Sequence, residues 1–296
     1  MTSRYGDARA LRRALEDRLR DQATQTSTDL ARRRRLVVFD RIATRLASDS
    51  TTRWILKGGA AMEFRLERKA RTTKDLDFAA EQQSPSALGG SEVRELLIDT
   101  LATDHDGDGF TFRVSSPTEL KPDSGGRGGW RYSVDARLAG KTFAGVRIDV
   151  VARSEEIMHT ERLPLPNTLA FAGTPPRSIL AVDRRQHFAE KLHAFTRQYG
   201  DRPNTRVKDL VDLVLLIETG LAPDSSLVEA VDHVFSVRAT HAVPVEIPDP
   251  PPAWTETYPT TAAGLTETEP RLDAALALVR AFWSDAHRSD DPTGGH

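Results

Sequence analysis

A short apolar run, Trp54-Ile55-Leu56, ends at Lys57-Gly58-Gly59 and gives way to a helical pattern from Ala60 to Arg68. No other feature constrains the fold as much. A buried strand that turns through a glycine pair straight into a helix is an α/β unit. Such a turn can also cradle an anion. Glycine lets the backbone approach closely, and the helix aims unpaired N–H groups and its positive dipole end at the charge. Taken alone, the pair reads as an ordinary tight turn. Neither the Walker spacing nor the dinucleotide fingerprint is present.

A second apolar run follows at Leu76 to Ala79, within Lys74-Asp75-Leu76-Asp77-Phe78. Strand residues two apart share a face, so Asp75 and Asp77 form a carboxylate pair. Two carboxylates on one face repel unless a cation or an ion pair neutralises them. Mg²⁺ takes oxygen ligands and often bridges carboxylates to substrate phosphates. Further on, Trp130, Tyr132, Val134, Ala136 and Leu138 alternate as a half-buried strand does. Ala139-Gly140-Lys141 turns the chain, and Val146, Ile148 and Val150 line one face of a partner strand. Asp149 lies on the opposite face with Arg147 and Val151, as a third candidate carboxylate. A glycine pair, an Asp-x-Asp and a later strand Asp, in that order, point to a phosphate and metal site.

The rest of the chain is organised around these elements. Residues from Ala8 to Leu46 read as helical, with Leu36, Phe39, Ile42, Ala43 and Leu46 at helical spacing. Val93 to Ala102 reads as another helix. Asp104, Asp106, Asp108 and Gly109 match the first half of a calcium loop, but Ser115 stands where the closing Glu belongs, so the segment reads as an ordinary loop. Ser124 to Gly129 is expected to be a flexible loop. The character changes at Thr174-Pro175-Pro176 and becomes mostly helical. Asp183 is placed to cap a helix running to Gly200, with Gln186 at the capping-box position. An apolar helix is expected from Arg206 to Thr219, and an amphipathic one from Arg271 to Trp283. Pro248 to Pro252 is an extended link, and the tail after His287 is expected to be disordered. The domains implied are 1–175, an α/β domain with N-terminal helices, and 176–296, a mainly helical domain that completes the active site.

Composition narrows the function classes. No apolar run is long enough to span a bilayer, and Met1 to Arg20 has no apolar signal core, so a cytoplasmic protein is expected. Cysteine is absent, which excludes disulfides and cysteine-ligated zinc. The net charge of −2 does not suggest a generic nucleic-acid coat. A local patch at Arg32 to Arg35 reads either as a solvated helix face with salt bridges or as an RNA contact.

The ordered motifs resemble the nucleotidyltransferase superfamily with the polymerase-beta-like fold. More closely, Leu56-Lys57-Gly58-Gly59 with Arg71-Thr72-Thr73-Lys74-Asp75-Leu76-Asp77-Phe78 is similar to the AbiEii family of nucleotidyltransferase toxins, including the mycobacterial MenT group. Glu190-Lys191-Leu192-His193-Ala194 resembles the family's Lys motif, and Lys208-Asp209-Leu210-Val211-Asp212-Leu213 its helical Asp motif. Phe235-Ser236-Val237-Arg238, with His241, Trp254 and Tyr258, resembles its C-terminal region. One departure is Ala60, where the family commonly has Ser or Thr, so phosphate binding through a hydroxyl is lost there.

The resemblance implies a mixed sheet of nucleotidyltransferase type and an enzyme that moves a nucleotide from an NTP to an acceptor. Asp75, Asp77 and Asp149 would hold Mg²⁺. Lys57, Gly58, Gly59, Lys191 and Arg238 would bind the nucleotide, and Asp75, Asp77, Lys191 and Asp209 would be catalytic. His187 and His193 read as structural or exposed. The implied acceptor is the tRNA 3′ end, which would block translation, and the implied partner is a cognate antitoxin. The alternatives are transfer to a small hydroxylated molecule or to a protein side chain, and a non-catalytic nucleotide-binding module. An RNA acceptor requires a basic path and gives salt-sensitive transfer; nucleotide binding without turnover would mark the non-catalytic module.

Overall fold

The computed structural model describes residues 5, 7–26, 29–82, 89–121, 128–151 and 154–289. Residues 124–127 of the expected flexible loop and the tail from 290 lie outside them. The chain divides into two compact units. One comprises Met1–Arg65, Thr72–Ser154 and Arg162–Ala181; the other comprises Leu66–Arg71, Glu155–Glu161 and Val182–His296.

The first unit is built on a mixed sheet. Its strands are β1 (Thr52–Lys57), β2 (Asp75–Gln82), β3 (Phe110–Val114), β4 (Thr118–Leu120), β5 (Gly129–Leu138), β6 (Lys141–Val151), β7 (Thr160–Pro164) and β8 (Ser178–Val182). They are ordered β3-β5-β6-β2-β1-β8-β7, with β4 also on β5. β1 pairs antiparallel with β2 across an intervening helical segment, β5 and β6 form an antiparallel hairpin, and β2–β6 and β1–β8 are parallel. Among the described residues the unit's helices are α1 (Ala8–Thr26), α2 (Leu30–Ala47), α3 (Gly58–Leu66) and α4 (Gly90–Ala102). The alternation expected for β5 holds: Tyr132, Val134, Ala136 and Leu138 are fully buried. They join Val146, Ile148 and Val150 of β6 in one apolar cluster with Val37, Phe39, Ile42 and Leu46 of α2.

The helix expected over Ala8 to Leu46 is two helices. Asp29 restarts the chain by accepting from the Ala31 N–H at 2.9 Å, an N-cap that separates α2 from α1. Two turns of α2 bury Arg41 and Arg45. Arg41 bonds Asp40 at 3.0 Å and Asp106 at 3.2 Å, and Arg45 bonds Asp108 at 2.8 Å. The loop with calcium-like spacing is therefore an internal anchor, with guanidinium groups where an ion would otherwise neutralise its carboxylates. Burial still pushes the Asp108 carboxyl above its usual range despite Arg45. The Arg32–Arg35 patch is largely internal pairing as well: Arg32 bonds Glu63 at 3.0 Å and Arg34 bonds Glu16 at 2.6 Å.

The second unit holds α5 (Arg184–Thr196), α6 (Val207–Glu218), α7 (Ser225–Arg238), α8 (Trp254–Ala262) and α9 (Leu272–Ser289). Its core includes Phe188, Leu192, Leu213, Val231 and Trp283. Phe188 packs its ring 5.3 Å from Phe282 and 6.4 Å from Trp283. Asp183 caps α5 by accepting from the Gln186 N–H at 2.8 Å. The reciprocal half of the expected box is absent. The Gln186 amide donates to the Glu156 carbonyl at 2.9 Å, and the Asp183 N–H goes to the His159 carbonyl. α5 stops at Thr196 rather than Gly200, where the Asn204 amide takes the Phe195 carbonyl at 2.7 Å.

Candidate active site

In the first unit, the site begins where β1 becomes α3. Gly58 has φ +61°, the left-handed region that glycine enters without penalty. A Cβ on Gly58 would stand 2.1 Å from Asp77 Oδ2. The missing side chain is thus what admits the Asp77 carboxylate to the start of the helix. β1 and β2 are registered with Lys57 opposite Asp77, and Lys57 is buried. Ala60 and Ala61 are fully buried in the core behind the turn. A serine at position 60 would have to satisfy its hydroxyl there, so Ala60 is consistent with its surroundings.

The three strand carboxylates come together on neighbouring strands. β2 and β6 run parallel with Asp77 opposite Asp149 and Asp75 opposite Arg147. The next strand contributes Arg131, the antiparallel partner of Asp149. Arg131 grips Asp149 through two bonds of 2.7 and 2.6 Å, and Arg147 Nε donates to Asp75 at 2.5 Å. The hydrogen bonds that Arg131 donates to Asp149 raise the pKa of Arg131. Partial burial opposes this, and the charges of Asp149, Asp75 and Asp77 add to the rise. The cluster is therefore one electrostatic unit of three carboxylates and two guanidinium groups. Among the described residues, no group of three or more His, Asp or Glu is gathered closely enough to ligate an ion. The donor chemistry nevertheless fits a hard divalent cation: oxygen ligands only, on one face, partly exposed. Sequence reasoning missed Arg131. The signal was present, because strand alternation puts it on the face opposite Trp130 and Tyr132.

In the second unit, Lys191 on α5 meets α6. Its ammonium lies 2.8 Å from Asp209 Oδ1 and 2.7 Å from Asp212 Oδ2. Asp212 is fully buried and also receives both arms of Arg71 at 2.8 Å. Burial pulls the Lys191 pKa down, but Asp209 and Asp212 outweigh it, so the net shift is upward. Lys191 is held as a cation and cannot serve as a neutral base near pH 7. Burial alone would raise the Asp212 carboxyl; Lys191 and Arg71 reverse that and hold it below its usual range. Asp209 Oδ2 is buried with no hydrogen-bond partner among the described residues, and Arg206 stands 3.7 Å away. Asp212 and Arg71 lie within the motif segments quoted from the sequence, but no role is assigned to either there. Two aspartates three apart in an otherwise apolar helix were the available signal.

Arg238, expected to bind nucleotide, donates to buried Glu156 at 2.6 Å and reaches His193 Nδ1 at 3.2 Å. His193 is driven down to about 3, first by burial and then by Arg238 and His241. It is a neutral acceptor in the wall of the helical unit. Trp254 donates from Nε1 to the Asn204 carbonyl at 3.0 Å, and Tyr258 is fully buried.

These arrangements belong to a nucleotidyltransferase-type α/β fold carrying a glycine turn, paired strand carboxylates and a lysine–aspartate helix pair. The model of the nucleotidyl transferase AbiEii toxin family, of type IV toxin–antitoxin systems, matches residues 41–278. The chain belongs to that family of nucleotidyltransferase toxins. The solved structure of MenT4, a nucleotidyltransferase toxin from Mycobacterium tuberculosis H37Rv, has the same fold. It superposes with TM-score 0.52 at 18% identity, covering 87% of this chain and 84% of that one. An antigenic nucleotidyltransferase-like protein from Paracoccidioides brasiliensis superposes more loosely, with TM-score 0.43 and 16% identity over 69% of this chain and 88% of that one. No curated protein matches in sequence. The resemblance seen in the motifs and the mixed sheet it implied are both borne out. Among the described residues, no helix is long and apolar enough to cross a membrane.

Proposed function

We propose that this toxin transfers a nucleotide from an NTP to the 3′ end of tRNA in the cytoplasm, so blocking translation, and is restrained by a cognate antitoxin. The observation that carries the chemistry is the register of Asp75 and Asp77 beside Asp149, with Gly58 cut away to admit Asp77. Backbone N–H groups at Gly58 and Gly59 receive the triphosphate at the start of α3. Lys57 and Lys191 supply positive charge to phosphate oxygens, which suits a Lys191 held as an ammonium. Asp75, Asp77 and Asp149 would hold Mg²⁺, which offsets charge on the attacked phosphoryl group and on the departing pyrophosphate. Asp149 and Asp75 would give up bonds to Arg131 and Arg147 to do so. Asp209 orients the attacking 3′ hydroxyl and takes its proton at Oδ2, the oxygen that has no hydrogen-bond donor among the described residues. Arg238 reaches a phosphate only by leaving Glu156. The bond formed joins the acceptor oxygen to the α-phosphorus, and the bond broken releases pyrophosphate.

The test is incubation of the protein with total tRNA, Mg²⁺ and each labelled NTP separately, with Asp75→Ala as control. Label on tRNA from the wild type alone supports the reading and names the donor. Bound NTP without label on any RNA refutes the acceptor.

A further inference from the structure

A cleft of about 590 Å³ lies in the first unit beside α1 and the turn between β5 and β6. Its walls carry Arg9, Arg12, Arg13 and Arg20 from the helix and Lys141 from the turn. The carboxylates in the lining are Glu16 and Asp17, and both are engaged: Glu16 by Arg34 at 2.6 Å, Asp17 by Arg20 at 3.0 Å. Arg12 is fixed as part of the scaffold, donating to the carbonyls of Leu138, Lys141 and Thr142 at 2.8 to 2.9 Å. Arg9 and Arg13 are exposed, and neither makes an ion pair within 4.0 Å among the described residues. The nearby acid is Asp7, fully exposed, which accepts from the Ala10 N–H at 2.7 Å and also feels the charges of Arg13 and Arg9.

We propose that this cleft binds the sugar–phosphate backbone of the RNA acceptor at a distance from the reacting end. The inference rests on the RNA-acceptor reading given above. Arg9 and Arg20 are eleven residues apart on one helix, so the cations extend over about 16 Å. That suits a chain of phosphates better than one small anion. Guanidinium groups match phosphate oxygens in geometry. Among the described residues the lining offers only Ala139 as an apolar side chain, so a protein partner would find little to seat the aromatic or aliphatic anchor that dominates protein interfaces. Position along the sheet adds a constraint. Lys141 opens β6 and Asp149 lies eight residues further along the same strand, or about 26 Å away at the usual strand rise. A small acceptor cannot occupy both places, whereas a folded RNA can.

The experiment compares wild type with the double variant Arg9→Glu/Arg13→Glu and, separately, Lys141→Glu. Each is measured for binding of deacylated total tRNA across a salt series. Transfer is measured on whole tRNA and on a short single-stranded oligoribonucleotide ending in CCA. The expected result is at least a tenfold loss of tRNA affinity and a shallower salt slope, by about 0.7 to 0.9 per lost phosphate contact. Transfer to the short oligonucleotide should be unchanged, which also shows that the variants are folded. Unaltered tRNA affinity and transfer in both variants, with an active wild type, would overturn this inference and leave the proposed function standing. Equal losses on whole tRNA and on the oligonucleotide would overturn it too. A wild type that neither binds nor labels RNA would overturn both. If the variants instead lost an acidic protein partner while retaining tRNA, the cleft would be a protein interface.

Discussion

Replacing Asp212 with asparagine tests whether the helical unit is organised around one buried charge. The side chain keeps its volume, but the carboxylate that Lys191 meets at 2.7 Å and Arg71 meets at 2.8 Å becomes neutral. Asp212 is fully buried, and the side chains of Lys191 and Arg71 are only 11% and 16% exposed. Removing one partner from such a group leaves cations without compensation, at a cost of about 3–5 kcal/mol. At roughly 2–4 °C per kcal/mol, the unfolding midpoint should fall by on the order of 10 °C. The sign of the pH dependence follows from the shifts. The folded Asp212 carboxyl is depressed, so its contribution is present above the ordinary value of about 3.9 and is lost as pH falls through the folded value. Lys191 is raised, so its contribution is complete below about 10.4 and is lost as pH rises through the folded value. Urea unfolding followed by circular dichroism, at pH 7 and at pH 3, measures the Asp212 contribution. At the lower pH, just under one unit below the ordinary value, Asp212→Asn should recover about 1 kcal/mol of its deficit relative to wild type. A deficit at pH 7 no larger than the ~1 kcal/mol of a surface pair would refute the reasoning.

The other predictions concern the first unit. Asp75→Ala should leave the thermal midpoint near wild type while cutting nucleotide transfer by about 100- to 1000-fold or more, measured as label on the acceptor; near-normal transfer would sink the metal-site model. Gly58→Ala must place a Cβ where Asp77 Oδ2 lies 2.1 Å away, at φ +61°. The left-handed backbone alone costs about 1–2 kcal/mol, and the displaced carboxylate should abolish transfer; a variant with wild-type stability and turnover would show that the turn tolerates a side chain. Thr72 is exposed three residues before Asp75, and a phosphate there adds about −1.5 to −2 charges. Thr72→Glu or the phosphorylated protein should raise the KM for NTP and lower turnover, so unchanged kinetics would count against that reading.

Several parts of this protein are set by local chemistry and were therefore visible in the chain. The glycine turn after Trp54-Ile55-Leu56, the alternation of β5 and β6, and the Asp183 cap each depend on neighbours within a few residues. A periodicity of two also put Asp75 with Asp77, and placed Asp149 opposite Ile148. The family motifs came from the same short segments, and residues 41–278 match the family model. Contacts between residues far apart in sequence required the tertiary structure. Parallel pairing of β2 with β6 brings Asp77 beside Asp149, across seventy residues that no local pattern spans. Arg131 entered the site by the same route, through the register of β5. Arg71 and Lys191 share Asp212 because α5, α6 and the segment before β2 meet in the helical unit. A lone charge in an apolar helix carries no record of its partner; it says only that burial must be compensated. The calcium-like loop makes the same point. Its aspartates are answered by Arg41 and Arg45 rather than by an ion, and only the packing of α2 against that loop decides which cation is used.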